Sequence, residues 1–145
     1  TPALFMSSAG TNGIVNQMTV LPRTGTNVQI NMVSPPTVLS PEDNATNVDL
    51  NTVFSFQKNS SSNVLIYSIM DTISGISYNF CTSENNITLS MLSPMLTGLS
   101  PNRRYNYSIE QVGVGAKNVD EFLREGRQVQ YNRANTNLRR FTSKP

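Results

Sequence analysis

The chain of 145 residues is 37% hydrophobic and only 14% charged, with a net charge of +2, no His and one Cys. Without imidazole and with a single thiol it cannot build a Ser-His-Asp triad, a Cys-His dyad or a conventional zinc site, so most hydrolase and metalloenzyme chemistry is excluded and no cofactor is expected. No run approaches the roughly 18 apolar residues of a membrane span, and a chain of this length buries roughly 68–70% of its unfolded surface, enough for one ordinary core.

Residues 1–34 read as a strand-forming arm. Ala3-Leu4-Phe5-Met6 is a compact apolar run, Ile14-Val15 and Met18 to Leu21 are strand-like, and Val28-Gln29-Ile30-Asn31-Met32 alternates. Such strands must be buried. Either they add to the chain's own sheets or continue a preceding domain, or Leu4, Phe5, Met6, Val28, Ile30 and Met32 pair with a neighbouring copy by strand addition. Leu21-Pro22-Arg23-Thr24-Gly25 matches the Leu-Pro-x-Thr-Gly pattern that sortases cut. It lacks the apolar span and basic tail that a sorting signal carries after it, and reads as a turn.

From Ser34 onward, short apolar or alternating runs are separated by turn residues at intervals of roughly 8–12, the pattern of an all-β sandwich. Thr37-Val38-Leu39 is a first short strand closed by Pro41, and Glu42 to Asn47 is a polar turn. Thr52 to Gln57 is rich in β-branched and aromatic residues. Val64 to Asp71 is apolar at nearly every position, as in a central strand covered at least in part on both faces. Ile76 to Phe80, Ile87 to Met91 and Tyr105 to Val112 alternate with period two, and Leu138 to Thr142 is the last strand.

Gly113 to Asn137 is far longer than a hairpin loop and holds the one helix signal. Asn118 suits an N-cap with Glu121 three residues on, Asp120 and Glu121 suit the positive end of the helix dipole, and Gly126 stops the run. Val119, Phe122 and Leu123 share one face, which must dock on the sandwich or on a partner because about two turns of helix are unstable alone. Arg127 to Arg133 alternates and reads as an added edge strand.

The charges are unevenly placed. Residues 1–100 hold two basic and five acidic side chains; residues 101–145 hold nine basic and four acidic. Arg103, Arg104, Arg124, Arg127, Arg133, Arg139 and Arg140 form a candidate anion patch, with strand-edge decoration as the alternative. Four Asn-x-Ser/Thr sequons, at Asn44, Asn59, Asn86 and Asn106, are what chance supplies in a chain with 18 Asn, 17 Ser and 14 Thr. Cys81 reads as a small buried hydrophobe. The nine carboxylates fall mostly in turns and in the helix, without the spacing of a calcium loop.

Leu99-Ser100-Pro101-Asn102-Arg103-Arg104-Tyr105, preceded by Leu96 and Gly98 and followed by an alternating strand, resembles the Leu-x-Pro-x-Thr-x-Tyr signature of fibronectin type III domains. The opening Pro36 to Pro41 and the closing Phe141-Thr142 also match that family's ends, so the likeness covers about residues 35–145. The resemblance implies an immunoglobulin-like (fibronectin type III-like) β-sandwich in which Leu99, Pro101 and Tyr105 form a structural corner, the Tyr hydroxyl bonding back to nearby backbone. Phe56 stands where the family places a Trp, Arg103 replaces the motif's Thr, and the long connection lies where a short F–G hairpin is usual.

The expected protein is therefore a sandwich over residues 35–145 with an N-terminal β arm over residues 1–34 and one short helix in its F–G connection. Its expected role is non-catalytic: an extracellular or cell-surface structural or binding module whose partners are other protein domains, copies of itself or glycan. A self-assembling subunit of a pilus, filament or other appendage, using the arm for strand exchange, is the alternative. Polyanion binding through the Arg-rich C-terminal third is a third, with nucleic acid disfavoured.

Overall fold

A computed structural model describes residues 3–10, 13–20, 34–58, 64–92, 96, 98–112, 119, 120, 123 and 133–145, with 3–10 and 14–20 described as backbone. The strands are β1 (Ala3–Gly10), β2 (Gly13–Val20), β3 (Thr37–Ser40), β4 (Ala45–Val48), β5 (Val53–Gln57), β6 (Val64–Asp71), β7 (Ser77–Thr82), β8 (Asn86–Thr88), β9 (Arg104–Val112), β10 (Arg133–Thr136) and β11 (Arg139–Ser143). Helical backbone among the described residues is confined to a 3-10 turn, Leu89–Leu92, and to Val119, Asp120 and Leu123. The chain is all-β.

Two sheets form. The smaller is β3-β5-β8, antiparallel throughout. In the larger, β6 lies between β7 and β9, while β10 and β11 share the other edge of β9. From there β2 pairs with β10 and β1 with β2, and β4 adds in parallel to β11. The described part of the N-terminal arm is thus a hairpin built into the chain's own larger sheet.

Period two sets the layers. Tyr105, Tyr107 and Ile109 of β9 and Leu65, Tyr67 and Ile69 of β6 are buried in one core with Phe54 and Phe56 of β5, and Gln111 of β9 is buried too. Phe54 packs edge-on against Tyr107 (5.4 Å between centroids, 88°) and Phe141 (5.6 Å, 72°), and Phe56 against Tyr67 (5.3 Å, 68°). Each of these large side chains stabilises the fold by roughly 1.5–3 kcal/mol through burial, and aromatic geometry adds about 0.5–1.5 kcal/mol per pair. The Tyr107 hydroxyl donates to the Pro41 carbonyl (2.6 Å), tying β9 to the segment after β3.

Several elements differ from the sequence expectation. Glu42 to Asn47 is not all turn: β4 starts at Ala45, and Asn44 and Asn47 take φ of 65° and 60°, left-handed values that Asn tolerates. Ile87 to Met91 is not one strand. The chain leaves the ladder after Thr88, the Ser90 amide donates to the Leu50 carbonyl (2.8 Å), and the 3-10 turn buries Leu89 fully while exposing Met91. The last strand, expected over Leu138 to Thr142, is β11, and β10 precedes it at Arg133–Thr136, within the long connection. Where the ladder breaks between them, Thr136 Oγ1 accepts the Ile109 amide (3.0 Å) in place of a backbone carbonyl.

Val119 packs on the outward side of the larger sheet against Val64 and Val112, as Ile66 does, covering the upper part of β6 as a helix face should, whereas Leu123 is 62% exposed. Asn118, Glu121, Phe122 and Gly126 lie outside the described residues, as do Leu21 to Gly25 and all of Arg127 to Arg133 except Arg133 itself.

Gly13, opposite Thr136, makes the close approach that seats the hairpin. Its φ is +147°, and a Cβ there would overlap the Asn135 carbonyl oxygen. Gly13→Ala is expected to release β2 from β10 at a cost on the order of 1–3 kcal/mol. Hydrogen exchange checks it: the amides of Ile14, Asn16, Arg133 and Asn135, which face across the β2–β10 pair, lose protection while those of Tyr107 and Ile109 keep it.

Candidate functional site

The segment from Leu96 to Tyr105 crosses the end of the molecule where the chain enters β9. Leu96 is buried, Leu99 is half-buried against the core, Pro101 is exposed, and Asn102 (φ 52°) turns the chain. Tyr105 is buried and stacked on Phe141 (5.2 Å, 17°), and its hydroxyl accepts the Ser100 amide (2.9 Å). Ser143 stitches the same corner to β11: its hydroxyl accepts the Arg103 amide (2.8 Å) and donates to the Ser100 carbonyl (2.5 Å).

Arg103 leaves the candidate anion patch here. Its Nη1 lies 3.0 and 3.2 Å from the two carboxylate oxygens of Asp71, the last residue of β6. Asp71 also accepts the amides of Ile73 (2.8 Å) and Ser74 (3.2 Å). The Ile73 amide foremost, with Ser74 and Arg103, holds the Asp71 carboxyl down at about 2 against its own desolvation.

Val48, Leu50, Leu99, Pro101 and Lys144 line a shallow cavity of about 260 Å³ beside this corner. Asp49 borders it, but its carboxylate accepts from the Asn51 amide (2.9 Å) and the Thr52 hydroxyl (3.1 Å), bonds that close its own turn and lower its pKa.

The outward face of the larger sheet carries a strip of neutral polar side chains. Register sets Ser68 opposite both Asn79 and Ser108, and alternation adds Asn106 and Asn135 to the same face. Ser68 donates to Asn79 Oδ1 (2.6 Å), and Asn79 Nδ2 donates to Ser77 (3.4 Å). This neutral, hydrogen-bonding strip is bounded above by Glu110 and Arg133, whose Oε1 and Nη1 are 3.1 Å apart without hydrogen-bond alignment, and below by Arg104 and Arg140. Burial raises the Glu110 carboxyl, with Arg133 opposing. Sequence alternation marks these positions as outward; only register shows that they adjoin.

The seven arginines do not gather into one patch. Arg103 and Arg133 face carboxylates near opposite ends of β9, Arg139 turns toward the Tyr107 hydroxyl, and Arg124 and Arg127 lie outside the described residues. Arg104 and Arg140 remain as neighbours on one face, since Arg140 pairs with Asn106. Cys81 is half-buried rather than buried, beside Ile66; desolvation first, then Glu110, raises its thiol pKa. Of the candidate arm residues, Leu4, Phe5 and Met6 lie in β1, and Val28, Ile30 and Met32 are outside the described residues. No helix among the described residues is long and apolar enough to cross a membrane.

Two outcomes test the corner. Tyr105→Phe leaves the Ser100 amide without its acceptor and is expected to cost about 1–3 kcal/mol in denaturant unfolding, with the sheets intact by circular dichroism. Because Asp71 titrates at about 2 when folded and near 3.8 otherwise, its stabilisation is complete above pH ~4 and disappears as pH falls toward ~2. The stability gap between the native chain and Asp71→Asn should close over that window; a gap that stays constant contradicts the assignment.

No protein-family model matches the chain, and neither the curated proteins nor the solved structures provide a match to it, so the functional reading rests on its own residues.

Proposed function

We propose that the chain is a fibronectin type III-like β-sandwich acting as a non-catalytic structural or binding module outside the cell or at its surface, through protein–protein or protein–glycan contacts. The observation that carries this reading is the strand order. A three-stranded sheet, β3-β5-β8, faces a sheet in which β7, β6, β9 and β10/β11 follow one another, and the buried Tyr105 closes the corner into β9 through the Ser100 amide.

The chemistry of the side chains supports a passive role. The chain has no His. Asp71 is paired with Arg103 and Glu110 lies beside Arg133, Asp49 closes a turn, and Asp43 accepts the Arg140 amide (2.8 Å). The neutral strip around Ser68, Asn79 and Ser108 supplies donors and acceptors without fixed charge, the complement of a neutral sugar or of a polar protein surface.

The test is a glycan array and surface-plasmon binding with the folded chain and with Ser108→Arg, which sets a long cation in the middle of the strip. Binding should weaken at least about tenfold in the variant, or about 1.4 kcal/mol. Binding unaffected by Ser108→Arg but abolished by salt would move the contact to the arginines instead.

A further inference from the structure

We propose that the chain self-associates as a two-fold dimer in which β1 pairs antiparallel with β1 of a second copy, joining two larger sheets into one. This inference needs only the β1–β2–β10 ladder and is independent of the sandwich-family reading.

Every other edge is blunted. β3 has four residues, lies among Pro35, Pro36 and Pro41, and breaks register between Val38 and Ser40. β8 has three residues. β4 has four, with left-handed Asn44 just before it and Asn47 within it, and its pairing is irregular. β7 ends at a charged turn, with Glu84 following and Lys58 Nζ bonded to the Ser83 carbonyl (2.8 Å). Within β1 itself none of these devices occurs; Pro2 stands just before it. The strand runs for eight residues with no Pro and no charge, and the first charge in the sequence is Arg23. Long, regular, uncharged edges are the ones that recruit another strand.

Its backbone polarity can be read from the register. Gly10 pairs with Gly13 across a two-residue connection, which makes them a hydrogen-bonded pair. Alternation then turns Ser8, Met6 and Leu4 toward β2 and leaves the amides and carbonyls of Ala3, Phe5, Ser7 and Ala9 on the open edge. Nothing among the described residues pairs with that edge. The set is self-complementary: a two-fold axis at Met6 places Phe5 opposite Ser7 of the second copy and Ala3 opposite Ala9, so every edge group finds a partner. An identical strand with no charge brings no repulsion, and an isologous contact of this kind closes at two copies.

The experiment uses the full chain, measuring mass by light scattering and sedimentation from ~1 to ~100 µM, together with amide exchange. A concentration-dependent dimer is expected, with the Phe5, Ser7 and Ala9 amides protected only where the dimer forms. Ser7→Pro removes an outward amide and should weaken the dimer at least about tenfold while the Met6 and Ser8 amides stay protected, because their bonds to β2 are untouched. Met6→Pro, by contrast, should strip protection from the hairpin itself. A monomer at all concentrations, an open-ended series of oligomers, or a dimer indifferent to Ser7→Pro would overturn the proposal. So would edge amides protected equally at the lowest concentration, which would mean that the chain's own residues cover β1.

Discussion

The contact on which the remaining structure depends is the meeting of Phe54 from the small sheet with Tyr107 and Phe141 from the large one. Phe141 stacks on Tyr105 and lies 5.9 Å from Tyr107, so four rings from three strands lock β5, β9 and β11 together. Because side chains alternate, fixing these rings inward fixes every other residue of β9 outward. A slip of one residue would bury Glu110 and Arg104 and expose both tyrosines. The outer strip, the Glu110 and Arg133 contact and the docking of Val119 on Val112 all inherit their positions from that one choice.

The excess of Asn, Ser and Thr has a physical use in this frame. Wherever the ladder stops, a short polar side chain stands in for a backbone partner: Thr136 for β10, Ser143 at the corner, Thr52 and Asp49 at the β4–β5 turn. Asn occupies the left-handed positions 44, 47 and 102. Such groups satisfy buried amides at little desolvation cost, whereas long charged side chains would need counterions. Besides Glu110 Oε1, the Tyr67 hydroxyl is buried without a hydrogen-bond partner among the described residues, and its burial raises its pKa. Its ring stacks flat on Phe80 at 4.8 Å, so packing holds the side chain in place.

Local pattern made much of this legible in the sequence. The period-two run at Tyr105 to Val112 is β9 and the nearly continuous apolar run at Val64 to Asp71 is β6, whose covered upper end follows from that apolar character. What the pattern could not carry is anything set by distant partners. β4 is polar and short, and it exists because β11 offers it an edge. Ile87 to Met91 alternates as a strand would, yet the Leu50 carbonyl captures Ser90 and turns the chain. The arginines clustered in sequence are scattered in space, because Asp71 lies on β6 and Glu110 next to Arg133 across a strand pair. Of the corner, the tyrosine was visible from its motif; the Asp71 ion pair beside it was not.

The N-terminal hairpin poses the remaining physical question. Without it, β10 would end the large sheet with an open edge beside Ala134 and Asn135; β2 covers that edge in register from Arg133 to Thr136. A hairpin cannot abolish an edge, however, and β1 becomes the new one. A device serving only to protect β10 needs four residues, the length of the pairing it makes. This hairpin has twice that reach in each strand, and its flanking Pro2, Pro22 and Arg23 fall outside the strands, so all eight residues of β1 are free of proline and charge. Its length beyond Asn16 makes no described contact with β10, and pairing on the far side of β1 would give that surplus a use.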